Sequence, residues 1–178
     1  MEAYLVSDTT ITLLLRLIHI LAGVFWVGAM FIMAGFLIPT VQATGEAGGR
    51  FMQHLMLRRR LPIFLGTAMG LTVLSGFTMY GRLVAATNGA WAGTRPGIAY
   101  GIGSLAAVLA AVLGISISGS AGRRMTAIGQ SIAQAGRSPS AEQQAEITRL
   151  RGRMSVGART AAGLLVIATG AMAIARYL

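Results

Sequence analysis

One histidine and one arginine stand inside the apolar run 11–38. Arg16 comes first, His19 follows one helical turn later, and Trp26 and Gly28 lie about two turns further on. A neutral imidazole is a good ligand for iron or copper. A guanidinium is permanently charged and pairs with carboxylates or phosphates. Ionisable groups within an apolar span are costly, so such a pair marks a candidate functional site. A lone intramembrane histidine can also satisfy itself by hydrogen bonding to a carbonyl or serine on a neighbouring helix. The residues alone leave both readings open.

A rise of about 1.5 Å per residue puts His19 roughly 12 Å below the start of its span. At similar or shallower depth fall Ser75, Thr78, Met79 and Tyr80, then Tyr100 and Ser104, and finally Thr169. Arg16, Arg82, Arg95 and Arg176 lie nearer the same membrane face. This one-sided polar layer suits a haem: His19 would bind the metal, Arg16, Arg82 or Arg95 would meet the propionates, and Met79 and Tyr80 would stand beside it. Taken singly, Arg82, Arg95 and Arg176 also read as side chains reaching for the interface. Copper is the alternative metal: a thioether binds copper(I), and Met30-x-x-Met33 and Met52-x-x-x-Met56 have helix-face spacings. Ten methionines in an apolar chain also serve to fill gaps in a core. His54 sits in an arginine-rich connection and reads as an interface residue.

The elements that position these residues follow from hydropathy. The chain has 178 residues, 54% hydrophobic and 11% charged, with a mean hydropathy of +0.68. Soluble domains carry about 25% charged residues, so an integral membrane protein is expected. Its spans read as 11–38, 61–85, 97–120 and 156–177, forming one all-α four-helix bundle over 1–178. The connection 39–60 holds Arg50, Arg58, Arg59 and Arg60 against Glu46. The connection 121–155 holds Arg123, Arg124, Arg137, Arg149, Arg151 and Arg153 against Glu142 and Glu146. The opposite side has Glu2, Asp8, Arg82, Arg95 and Arg176. That asymmetry puts both arginine-rich connections in the cytoplasm and both termini outside, in the cell inner (plasma) membrane.

Within the first connection a flexible TGEAGG turn is expected to lead into an amphipathic interfacial helix over 50–60, with Phe51, Met52, Leu55 and Met56 on one face. In the second, Ser140-Ala141-Glu142-Gln143 matches a capping box. The helix it opens carries Ile147, Leu150 and Met154 on one stripe and runs into the fourth span. Gly66-x-x-x-Gly70 and Gly97-x-x-x-Gly101 have the spacing that lets helix backbones approach closely or clears space for a flat ligand.

Other chemistries are poorly supplied. The chain has no cysteine, which removes disulfides and thiolate sites, and all 15 basic residues are arginine, which removes lysine Schiff bases. No carboxylate falls within a span, so paired-acid, proton-relay and Ser-His-Asp arrangements lack support and no catalytic residue is assigned. The net charge of +10 comes from arginines beside apolar spans, which points to topology and anionic lipid rather than nucleic acid. The N-terminus lacks the basic start of a cleavable signal peptide.

The pattern His19-x6-Trp26-x-Gly28 resembles the membrane domain of the copper-resistance protein D family and the related bacterial four-helix protoporphyrinogen oxidases. Arg59-Arg60-Leu61, Gly76 and Trp91-x-x-x-Arg95 are similar in order and spacing to further motifs of the oxidases. The resemblance spans roughly the first 95 residues. It implies a haem b-binding four-helix membrane protein in redox or electron-transfer work, with His19 as axial ligand. The haem would then be five-coordinate, or would take a further ligand from Met79 or from a residue of another chain in a homo-oligomer or larger membrane complex. The sequence departs from the oxidase pattern at Arg95, where that family has lysine, and in 97–120, which lacks the family's histidine. Arginine is a poor proton shuttle, which counts against porphyrinogen oxidation. A cofactor-free assembly subunit packing through its small residues is the reading of a different class.

Overall fold

A computed structural model describes residues 2–136 and 138–178, with side chains from Asp8 onward apart from Ser118 and Ala133; Arg137, counted above among the loop arginines, lies outside it. Helix α1 (Glu2–Ile32) passes through a π-helical turn (Met33–Leu37) into α2 (Ile38–Ala43), and α3 (Gly45–Gln53) ends in a second π-turn (His54–Arg58). Helix α4 (Leu61–Ala86) and a short 3₁₀ turn (Ala90–Gly93) lead to α5 (Arg95–Leu113). A third π-turn (Gly114–Ser118) joins α5 to α6 (Gly119–Ala135), and α7 (Ala141–Ala175) completes the chain. No strand occurs among the described residues. Asp8–Ala43, Leu61–Ala86, Arg95–Ile132 and Ala141–Ala175 are each long and apolar enough to cross a membrane.

Local chemistry sets the boundaries. Arg60 takes a left-handed backbone (φ 53°) just before α4, and Pro62 occupies the first turn, where its missing N–H costs nothing. The Thr94 hydroxyl accepts a hydrogen bond from the Gly97 amide (3.2 Å), capping α5. The capping box expected at Ser140 is present: the Gln143 amide donates to the Ser140 hydroxyl (3.2 Å) and the Ser140 amide donates to the Gln143 side chain (2.9 Å). Ser140→Ala is expected to cost about 1 kcal/mol, read as faster amide exchange in the first turn of α7 with the membrane segment unchanged.

The two connections are more helical than their composition predicts. Residues 45–49, expected as a flexible turn, already belong to α3, entered through Gly45 at φ 57°. The third span does not stop near 120 but continues through α6. The reason is an apolar stripe of Ala121, Met125, Ile128 and Ile132 that packs against Ile147, Leu150 and Met154 of α7. A helical hairpin therefore extends beyond the spans, and α7 runs unbroken from it into the bundle, as expected.

The bundle is two antiparallel pairs, α1 with α4 and α5 with α7, which meet each other over a smaller surface. Its core is built of small residues: Ala106, Ala107, Ala110 and Ala111 of α5 face Ala161, Leu165 and Ala168 of α7. Trp26 of α1, only 4% exposed, and Ala68 of α4 close this core from the other pair. In lipid there is little hydrophobic drive between helices, so close van der Waals contact between small residues must hold them.

The glycines that make those contacts are not the ones the spacing suggests. Gly66 and Gly70 meet nothing within 4 Å, because the packed stripe of α4 runs through Ala68, Thr72 and Ser75. A Cβ on Gly97 would strike only the adjacent turn at Trp91, and one on Gly101 would merely touch the Tyr80 hydroxyl at 3.5 Å. The close approaches between helices fall at Gly76, Gly103 and Gly157.

Candidate functional site

His19 lies on the packed face of α1, half-buried against α4. Its Nδ1 stands 2.8 Å from the Thr72 carbonyl oxygen. A carbonyl can only accept, so Nδ1 carries the proton and donates. The Ser75 hydroxyl is 3.4 Å from the same nitrogen and 3.2 Å from the same carbonyl. Both Thr72 and Ser75 are buried, and each hydroxyl also donates back along its own helix, to Ala68 (2.8 Å) and Leu71 (2.5 Å). Gly76 makes room for the ring: a Cβ there would lie 2.8 Å from His19 Cε1 and 3.1 Å from Nδ1. A Cβ on Gly23, one turn further along α1, would make only ordinary contact with the Thr72 side chain, at 3.5 Å.

This geometry fixes a tautomer. With Nδ1 protonated and held by a carbonyl, the neutral ring keeps its lone pair on Nε2. A backbone carbonyl on the second nitrogen is the usual support for a metal-ligating histidine, because it orients the ring and raises its basicity.

The other expected site residues are dispersed. Arg82 pairs with Asp8, joining α4 and α1 at the end away from the arginine-rich connections. The Asp8–Arg82 and His19–Thr72 contacts belong to one antiparallel register along the same seam. Tyr80, one turn beyond Gly76, reaches towards α5 instead: its hydroxyl donates to the Gly97 carbonyl (3.4 Å) and its ring meets Trp91 edge-on at 5.3 Å. Trp91 stacks on Tyr100 at 5.9 Å, so these three rings clasp the α4–α5 turn rather than His19. Arg16 and Arg95 are exposed and have no acidic partner among the described residues. Met79 is half-buried, about a turn outward from Ser75 on the α4 stripe. Thr78 and Thr169 are exposed and do not join the layer.

No group of three or more His, Asp or Glu side chains able to hold a metal ion occurs among the described residues. Met30 packs against the alanine core, and His54 is exposed in its π-turn. Sequence reading missed Thr72, whose carbonyl is the principal partner of His19; antiparallel pairing of the 68/72/75 stripe with α1 is the signal that points to it. It also passed over Arg159, which lies near the arginine-rich end of α7, beside the first π-turn. No family model, curated protein or solved structure matches the chain.

Proposed function

We propose that the protein binds haem b in the membrane and serves in electron transfer near the outer face, with His19 as axial ligand through Nε2. The observation that carries this reading is the Nδ1–H···O=C bond to Thr72, which leaves Nε2 free to ligate and holds the ring in place. The resemblance of His19-x6-Trp26-x-Gly28 to haem-binding four-helix membrane families supports it. A bound haem would supply a one-electron redox centre. His19 would set its depth and Gly76 would keep the imidazole against α4. Arg16, one turn away and lacking an acid, is the best placed to meet a propionate; Arg82 is already neutralised by Asp8. Met79 is the thioether on the same stripe that suits a sixth position, with a second copy or partner subunit as the other source.

The arginine asymmetry of the connections supports a plasma-membrane location with both termini outside. Purified protein should show a porphyrin absorption band that shifts between oxidised and reduced states. A colourless preparation from which no porphyrin can be extracted overturns the proposal.

One observation favours a second reading. His19 is satisfied across the helix pair by Thr72 and Ser75, as a purely structural histidine would be. In that reading the protein is a cofactor-free subunit of a membrane assembly and His19 is a clamp between α1 and α4.

A further inference from the structure

Arg159 lies near the arginine-rich end of α7, about one turn inside the start of the fourth span. It is exposed, and no acidic partner reaches it among the described residues. It lies beside the π-turn Met33–Leu37. A π-turn inserts an extra residue into a helix and locally widens it, and such turns recur at functional sites. Here the buried Ala34 and the exposed Gly35 of this segment line one surface with Ala162 of α7. The small or absent side chains of Ala34, Gly35 and Ala162 leave an open cleft of about 460 Å³, flanked by Phe31 and Phe36 and carrying Arg159 as its only charge.

An unpaired guanidinium at this depth is stabilised by an anion, and the other lining groups are apolar. We propose that the cleft is a binding site for one anionic phospholipid of the arginine-rich leaflet, its phosphate on Arg159 and an acyl chain over Gly35 and Ala162. Charge complementarity selects this occupant. Arginine binds phosphate oxygens in bidentate fashion, and basic pockets between helices on that side suit anionic headgroups. The apolar walls give the chain a place that a free anion would not use. The site is separate from His19 and does not depend on what His19 binds.

Two substitutions test it from opposite ends. Arg159→Gln removes the phosphate partner. Gly35→Leu fills the cleft, and because a Cβ at Gly35 meets nothing within 4 Å the helix accommodates it. Arg58→Gln is the control, removing one exposed charge at the same end. Phosphatidylglycerol bound to the detergent-purified full chain is counted by native mass spectrometry, with melting curves confirming equal folding. Arg159→Gln and Gly35→Leu should each lower retention about fivefold, the worth of one arginine near an anionic surface. Arg58→Gln, which lies outside the cleft, should lower it clearly less than either. The proposal is overturned if Arg159→Gln does no more than Arg58→Gln, or if Gly35→Leu leaves retention unchanged. It is also overturned if excess inorganic phosphate displaces the lipid, which would make the site one for a free anion.

Discussion

His19→Ala is expected to abolish the porphyrin band while leaving the four-helix fold in place. The two effects separate because their magnitudes differ. If His19 holds a haem, its removal takes away the imidazole that would bind the metal. Loss of the hydrogen bond to Thr72 costs far less: cross-helix polar contacts in membranes average about 0.6 kcal/mol and reach about 1.7 kcal/mol. The Thr72 carbonyl would also keep the Ser75 hydroxyl at 3.2 Å. His19→Gln sharpens the test, since an amide can donate to the same carbonyl but cannot serve as an axial ligand to haem iron. If His19 is a ligand, both variants purify colourless and melt within a few degrees of the parent. If it is only a clamp, the parent is colourless too and glutamine restores the stability that alanine loses. Porphyrin retained by His19→Ala would overturn the ligand assignment even if the parent protein is coloured.

The spans were legible because twenty or so apolar residues between arginine clusters permit little else. The continuous α7 was legible because the capping box at Ser140 and the Ile147/Leu150/Met154 stripe agree on one helix. What escaped was the rotation of each helix about its axis. In soluble proteins a polar face tells which side of a helix is outside; in α4 both faces are apolar, so Gly66 and Gly70 look as well suited to packing as Gly76 and Gly103. The same ambiguity hid Thr72 and made Tyr80, Thr78 and Thr169 look like neighbours of His19 on depth alone. Arg82 was placed at the right end but not with its partner, because Asp8 precedes the apolar run and reads as a terminal charge. The helical extension through α6 was hidden by Arg123 and Arg124, which mark the end of a span without ending its helix.

Gly103→Leu is expected to be the most damaging single change in the bundle. A Cβ at position 103 would lie 3.1 Å from the Ala168 carbonyl oxygen and 3.0 Å from Met172 Cγ. Met172 can swing aside, but the carbonyl belongs to the α7 backbone and moves only with the helix. The leucine must therefore push α5 away from α7 along the seam where Ala106, Ala107 and Ala110 face Ala161, Leu165 and Ala168. Those contacts are short-range dispersion between small groups, and a gap of 0.5–1 Å forfeits about a quarter to a half of each. Overpacking of this kind costs about 1–3 kcal/mol and sometimes more; the upper end applies here because lipid offers the separated faces no hydrophobic penalty that would drive them back together. Gly163→Leu, where a Cβ meets nothing within 4 Å, is the matched control and should be neutral or slightly stabilising through helix propensity. Adding Met172→Ala to Gly103→Leu should recover only part of the loss, since the Ala168 carbonyl stays where it is. Thermal unfolding in detergent reads all three variants, and full recovery in the double variant would show that the side chain, not the backbone, sets the spacing of α5 and α7.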